Sequence, residues 1–321
     1  MEEPVEYRAK SSPMVDVTTV SPLPTVKAAA HRGRFVFGYL PATRDLRVGK
    51  VAGPAAMDWA TVLRGQNTHA LFLQYLVNRR TAQAFAETEG NQEEAETTAS
   101  WFVSLTEQLR LIFETPELEL IMDRRDFRFK ILFGDRPVDL DELPDGFSSL
   151  LSIIAELLLK EEAIRHSGSA SDTPRGVVLI DEVETHLHLS LQEKVLPFLT
   201  TVFPTIQFIV ATHSPLVISS LDDSVVHDLR DDQQALGRDY RGIRYGTLMT
   251  SHFHIATDFD LQSSRLLGRL AELHERERRS ESEDAEYHAL ITELGSASAA
   301  LGREVWKVTG HLAGSPGVER P

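Results

Sequence analysis

Two short apolar runs in this sequence end in groups that can bind a metal, move a proton or touch an anion. The first, Gly176-Val-Val-Leu-Ile-Asp181-Glu182-Val-Glu184, reads as a strand that delivers adjacent carboxylates at its C-terminal end. In parallel α/β sheets that end is where ligands bind. Alternation along the strand is expected to aim Asp181 and Glu182 in different directions, so that one carboxylate holds a magnesium ion through water while the other faces an attacking water. The second run, Gln207-Phe-Ile-Val-Ala-Thr-His213-Ser-Pro215, is also a buried strand and closes on a polar Thr-His-Ser before a proline. Its spacing from the first lets the two lie side by side.

The residue types leave other chemistries open. Glu184, His186 and His188 are metal-ligand types, and a zinc site is one alternative. Ser214, His213 and Asp181 are the types of a hydrolytic triad, although the sequence holds no Gly-x-Ser-x-Gly elbow. The plainest alternative is a buried strand with a solvated end.

The surrounding pattern is that of an α/β domain. A strand at Arg34 to Leu40, helices over Asp58 to Ala86 and Ala99 to Phe113, and an acidic linker at Glu87 to Glu96 come first. A hairpin follows, with strands at Leu118 to Met122 and Phe127 to Phe133, and then an apolar helix from Gly146 to about Ile164. Strand 177–182, helix 189–202, strand 206–211 and a strand near Val225 to Leu229 complete an alternation that means a mostly parallel sheet. Residues 1–30 read as a disordered tail, 31–260 as the core with a helical insertion at about 58–117, and 261–321 as a C-terminal helical extension, a hairpin.

In order and spacing, LIDEVETHLH, a helix and FIVATHSPLVISS resemble the Walker B and switch-histidine strands of ABC-type P-loop ATPases. The resemblance is to the branch that includes OLD-family, RecF-like and anti-phage defence ATPases. It implies an α/β fold with a mostly parallel P-loop NTPase (ABC-ATPase-like) sheet flanked by helices. It also implies that Asp181 is the magnesium residue, Glu182 the general base and His213 the γ-phosphate sensor, with Mg2+ and ATP as cofactors. The stretch after Glu184 matches the D-loop, with Leu189 where the family usually has proline. Leu143-Pro-Asp145-Gly146-Phe-Ser148-Ser149-Leu resembles the signature loop, which makes Asp145, Gly146, Ser148 and Ser149 nucleotide-facing candidates at a helix N-terminus, where free N–H groups and the helix dipole favour phosphate. An ordinary N-cap with Asp145 as the capping oxygen is the alternative there. Arg32 to Arg44 and Thr257-Asp-Phe-Asp260 also look like segments of this branch.

One part of such a site is not in the sequence. A phosphate loop needs G-x-x-x-x-G-K-[ST], and Gly49-Lys50, the one Gly-Lys pair, is followed by Val51 and preceded at the required glycine position by Arg44. Two functions follow as expectations. In one, ATP drives dimer closure that switches a defence or DNA-repair effector, with the phosphate loop supplied by a preceding segment or a separate polypeptide. In the other, the chain is a regulatory or dimerisation module that cannot hold ATP alone. The expected partners are ATP, a second copy or an ATPase chain, and an effector protein or DNA. An open sheet edge and an apolar patch are expected where the absent segment would pack.

Composition bounds the rest. The net charge of −15 opposes nucleic acid except at a local basic patch, and the absence of cysteine removes disulfides and thiolate metal sites. The acidic N-terminus lacks a signal-peptide pattern and Leu150 to Leu159 is interrupted by Ser152 and Glu156, so no membrane segment is expected and the cytoplasm is the expected location.

Overall fold

A computed structural model of the chain describes residues 35–44, 46, 48–63, 68–166, 174–230, 233–253 and 259–310. The expected N-terminal tail lies outside the described residues, as do Arg32 to Arg34 and Thr257-Asp258. The chain divides into two compact units, Met1–Arg241 and Gly242–Pro321, whereas the sequence places the boundary at 260/261.

The first unit is α/β. Strands β1 (Phe35–Leu40), β5 (Arg175–Ile180) and β6 (Ile206–Val210) form a parallel sheet in the order β1-β5-β6. Between β1 and β5 the chain makes helices α1 (Trp59–Leu63), α2 (Thr68–Glu89) and α3 (Gln92–Ile112). An antiparallel β2-β3-β4 sheet (Glu119–Asp123, Arg128–Phe133, Arg136–Asp139) and the long helix α4 (Asp145–His166) follow. Helix α5 (Leu189–Val202) joins β5 to β6. The one-turn helix α6 (Pro215–Ile218) and the hairpin β7 (Val225–Asp228) and β8 (Gln233–Leu236) end the unit.

Helix α4 is buried almost all round from Gly146 to Ile164, as befits a helix between a sheet and other helices. Its charged residues find partners: buried Lys160 donates to the Phe37 carbonyl of β1 at 2.7 Å and pairs with Glu156 at 3.0 Å. The two faces of the parallel sheet differ. Val36, Val178, Ile180 and Ile206 lie in the core. On the other face the register aligns Phe37 with Val177 and Gln207, and Tyr39 with Leu179 and Ile209. There Phe37 and Tyr39 are each 58% exposed and Ile209 is 42% exposed. Among the described strands β6 pairs only with β5, so its far edge is open.

Several local expectations are corrected. Glu87 to Glu96 is not a linker: α2 runs to Glu89, α3 begins at Gln92, and only Gly90 and Asn91 separate them. Gly90 takes the left-handed backbone that ends α2, the Asn91 side chain caps α3, and Glu93 and Glu94 sit in the first turn, where the helix dipole favours carboxylates. The hairpin gains a third strand, β4, whose Pro137 is tolerated because the strand is at a sheet edge.

The C-terminal unit carries α7 (Tyr245–Ser251), α8 (Leu261–Glu275), α9 (Glu281–Ala297) and α10 (Ala299–Thr309). The last three share a core of Leu270, Leu273, Tyr287, Leu290, Leu294, Leu301 and Val305. The expected hairpin is thus three helices, because Ser298 breaks the chain in an extended conformation and its hydroxyl caps α10. No described helix is long and apolar enough to cross a membrane.

Candidate functional site

Strands β5 and β6 end side by side, and the residues beyond them meet. Asp181 follows β5 and donates its N–H to the Leu40 carbonyl at 2.9 Å, while Ala211 beyond β6 donates to Ile180 at 2.9 Å. Asp181 and Glu182 lie past the strand, so alternation does not separate their side chains as the sequence reading expected. Glu182 itself adopts φ +43°, in the left-handed region. Its carboxylate is exposed and accepts from the Thr185 hydroxyl at 3.1 Å. Among the described residues nothing donates to the half-buried Asp181 carboxylate.

Glu184 ties the two loops together. One carboxylate oxygen accepts from the Thr212 hydroxyl at 2.7 Å and the other from the backbone N–H of His213 at 2.6 Å. This fixes the His213 backbone and leaves its side chain at the exposed surface. Ser214, beside it, caps α6 with its hydroxyl and donates to Gln192 of α5 at 2.8 Å. That commitment removes Ser214 as a nucleophile. Glu184 does not converge with His186 and His188, and the described residues hold no group of three or more metal-ligating side chains.

The start of α4 abuts the same loop. Helical geometry begins at Asp145, with Ser148 N–H bonded to the Pro144 carbonyl at 2.9 Å. Asp145 is therefore a first-turn residue and not the N-cap. Gly146 has a steric role, since a Cβ there would stand 2.7 Å from the His186 carbonyl oxygen. Ser148 and Ser149 are buried, and their hydroxyls face inward: Ser148 accepts from Leu46 N–H at 2.9 Å and Ser149 from Arg44 Nε at 3.3 Å. Of the four residues, Asp145 is the one whose side chain faces solvent, at 86% exposed, with His186 Nδ1 3.9 Å away.

Arg44 is the residue that sequence reasoning passed over. The sequence shows it only as part of a family-like segment, yet its buried guanidinium reaches the backbone behind both carboxylates. Burial pushes its pKa down, and the charges of Glu184, Asp181 and Glu182 push it back up. No sequence motif marks such a residue, because its acceptors are backbone carbonyls.

Comparison with known proteins gives the family. Residues 26–219 match the family described as "AAA domain, putative AbiEii toxin, Type IV TA system". The chain belongs to this AAA ATPase family. Among its relatives, the "Retron Ec83 probable ATPase" of Escherichia coli is 32% identical over 117 residues, which are 36% of this chain and 20% of that protein. The "Septu protein PtuA" of Bacillus mycoides (strain KBAB4) is 29% identical over 118 residues, 36% of this chain and 16% of that one. The matched stretch thus spans a fifth or less of these relatives. A solved structure from work on ATP-driven dimerization and DNA-stimulated activation of SMC ATPases aligns at 16% identity and a TM-score of 0.30, over 51% of this chain and 99% of its own.

Proposed function

We propose that this AAA-family chain supplies the hydrolytic half of an ATPase site. The carrying observation is that Asp181, Glu182 and His213 stand together at the C-terminal ends of two paired parallel strands. The half-buried, hard oxygen ligands of Asp181 suit a magnesium ion, which keeps several waters and takes one or two carboxylates beside phosphate. Bound there, the ion would neutralise charge on the phosphates. Glu182 accepts the proton of the attacking water, which its exposure permits. His213 meets the γ-phosphate from a backbone position that Glu184 holds.

The carboxylates repel a polyphosphate unless a cationic phosphate loop offsets them, and the sequence contains none. The open edge of β6 and the bare Phe37-Tyr39-Ile209 face offer the place for one. A strand added parallel to β6 would end beside His213, and the helix after it would cover that face. Closure of two such ATPase units on ATP then switches an effector in defence or repair, and the relative named a probable ATPase is in keeping with the ATPase part of this reading. A second reading, a regulatory module without turnover, is favoured by the inward hydroxyls of Ser148 and Ser149.

The test is calorimetry with Mg-ATP and a phosphate-release assay on residues 1–321, alone and with a phosphate-loop segment fused before Phe35 or added separately. Alone, the chain is expected to bind weakly and not to turn over. With the loop, Glu182→Gln should bind yet lose about 10²-fold or more in kcat, and Asp181→Asn should weaken magnesium-dependent binding. Equal turnover of Glu182→Gln and wild type would remove the base assignment, and Glu182-dependent turnover by the chain alone would remove the need for a supplied loop.

A further inference from the structure

We infer that Arg44 is a positioning residue that fixes the Glu182 backbone and the start of α4 in one frame, so that neither can shift without the other. The inference rests on the ATPase reading for its consequence in turnover, and on geometry alone for the linkage.

A guanidinium has five N–H donors in a planar fork, and every arm of Arg44 has an acceptor. Nη1 donates to the Pro41 carbonyl at 2.8 Å and the Asp181 carbonyl at 2.7 Å. Nη2 donates to the Glu182 carbonyl at 2.9 Å and the Val183 carbonyl at 3.4 Å, and Nε donates to the Ser149 hydroxyl at 3.3 Å. One side chain thus holds the residue after β1, three successive carbonyls beyond β5, and, through Ser149, the start of α4.

Three successive carbonyls cannot turn to one cation from an extended strand, where neighbouring peptide groups face opposite ways. The chain must break its alternation, and it does so at Glu182. A left-handed non-glycine residue costs about 1–2 kcal/mol and persists only where its surroundings over-determine it. The fork is the surrounding that does this, because it binds the carbonyls on either side of the strained residue as well as its own. The Glu182 carboxylate leaves the backbone in a direction set by that φ, so the direction of the proposed base depends on Arg44.

A structural role alone accounts poorly for a charge at this place. Burying a cation costs several kcal/mol, and an apolar side chain of similar volume would avoid that cost but leave the carbonyls of Pro41, Asp181, Glu182 and Val183 without their donor. What the apolar side chain cannot do is orient five acceptors from three elements. The negative charges of Glu184, Asp181 and Glu182 in turn favour the charged form of the guanidinium against its burial. Lysine would keep the charge but not the fork.

The experiment uses amide hydrogen exchange on the full chain with Arg44→Lys and Arg44→Ala, and steady-state kinetics of the same variants with the phosphate loop supplied. Both variants are expected to lose protection in 145–149 and 181–187 together, while the three-helix core of Leu270 and Tyr287 keeps its own. Millimolar ethylguanidinium should restore both stretches in Arg44→Ala, which a general loss of folding would not allow. In turnover, Arg44→Lys should lower kcat by about 10²-fold, the cost of misplacing a reacting group by an ångström, with KM nearly unchanged. Loss of protection in one stretch only, failure of ethylguanidinium to restore either, or a raised KM at unchanged kcat would overturn the inference. If Glu182→Gln instead retains full turnover, the ATPase reading fails, and the exchange result still decides the linkage.

Discussion

In the loop after β5, three carboxylates lie within four residues and the cation behind them is buried; in the C-terminal unit, carboxylates and cations pair at the surface of α8 and α9. Arg269 makes two hydrogen bonds to Glu286 at 2.9 Å, Arg276 pairs with Glu283, and Arg279 with Asp284 at 3.1 Å. Beneath them the core is mostly apolar, with the Tyr287 hydroxyl meeting His274 at 2.9 Å and the buried Thr309 hydroxyl donating to the Val305 carbonyl at 2.7 Å. The helices would keep their fold without any single ion pair, since exposed pairs contribute little. The loop depends on its polar ties more: Val183 and Leu187 root it in the core, but the strained Glu182 backbone and the His213 backbone are held by Arg44 and Glu184. Polar ties fix direction, which chemistry needs, and apolar cores fix only proximity.

The sharpest way to break the contrast is Glu184→Ala. It removes charge-assisted bonds to Thr212 and to His213 N–H and should cost about 2–3 kcal/mol in urea unfolding, with new mobility at 211–214 by NMR. No loss would mean that β6 alone fixes His213. Gly146→Ala comes next. Alanine is favoured over glycine in a helix by about 1 kcal/mol, but its Cβ would meet a backbone oxygen at 2.7 Å, and such overpacking costs about 1–3 kcal/mol. A net destabilisation of up to about 2 kcal/mol is expected, and a stabilised variant would show that the two segments part easily.

These weak points were unequally legible in the sequence. The apolar runs of β5 and β6 and the helix between them match the expected bounds closely, because their sequences are near-continuously apolar, although the sequence expects β6 to be buried and its outer face is not. Asp181, Glu182 and His213 came with them, by motif. Glu184 and Arg44 did not, since a carboxylate that binds backbone N–H groups and a guanidinium that binds carbonyls leave no partner residue to recognise. The inward turn of Ser148 and Ser149 was hidden for the same reason: a serine at a helix start looks alike whether it faces solvent or the core. Acidic Glu87 to Glu96 misled through composition, where one glycine and one capping asparagine decided the structure.

The smallest effect separates the two regions by the sign of a pH dependence. Burial in α4 raises the pKa of Glu161, with Arg165 opposing it and Glu162 adding to it. A carboxyl whose folded pKa is raised contributes stability that is fully present below its unfolded pKa and lost as pH rises through the folded value. In α9 the bond from Arg269 lowers the pKa of Glu286, and the backbone N–H of Ser280, its hydroxyl and Arg276 lower that of Glu283. Their contribution is present above the unfolded pKa and lost as pH falls through the lowered values. Glu161→Gln should therefore gain in Tm relative to wild type between pH 4 and 7, a range that spans the ordinary carboxyl titration. Glu286→Gln should lose slightly at neutral pH and match wild type in strong acid. Thermal melts of both variants across that range check the signs, and high salt should erase the Glu286 difference first because that pair is exposed. If both variants shift in the same direction with pH, the burial of Glu161 does not govern its charge, and the contrast between a polar interior and a polar surface loses its electrostatic basis.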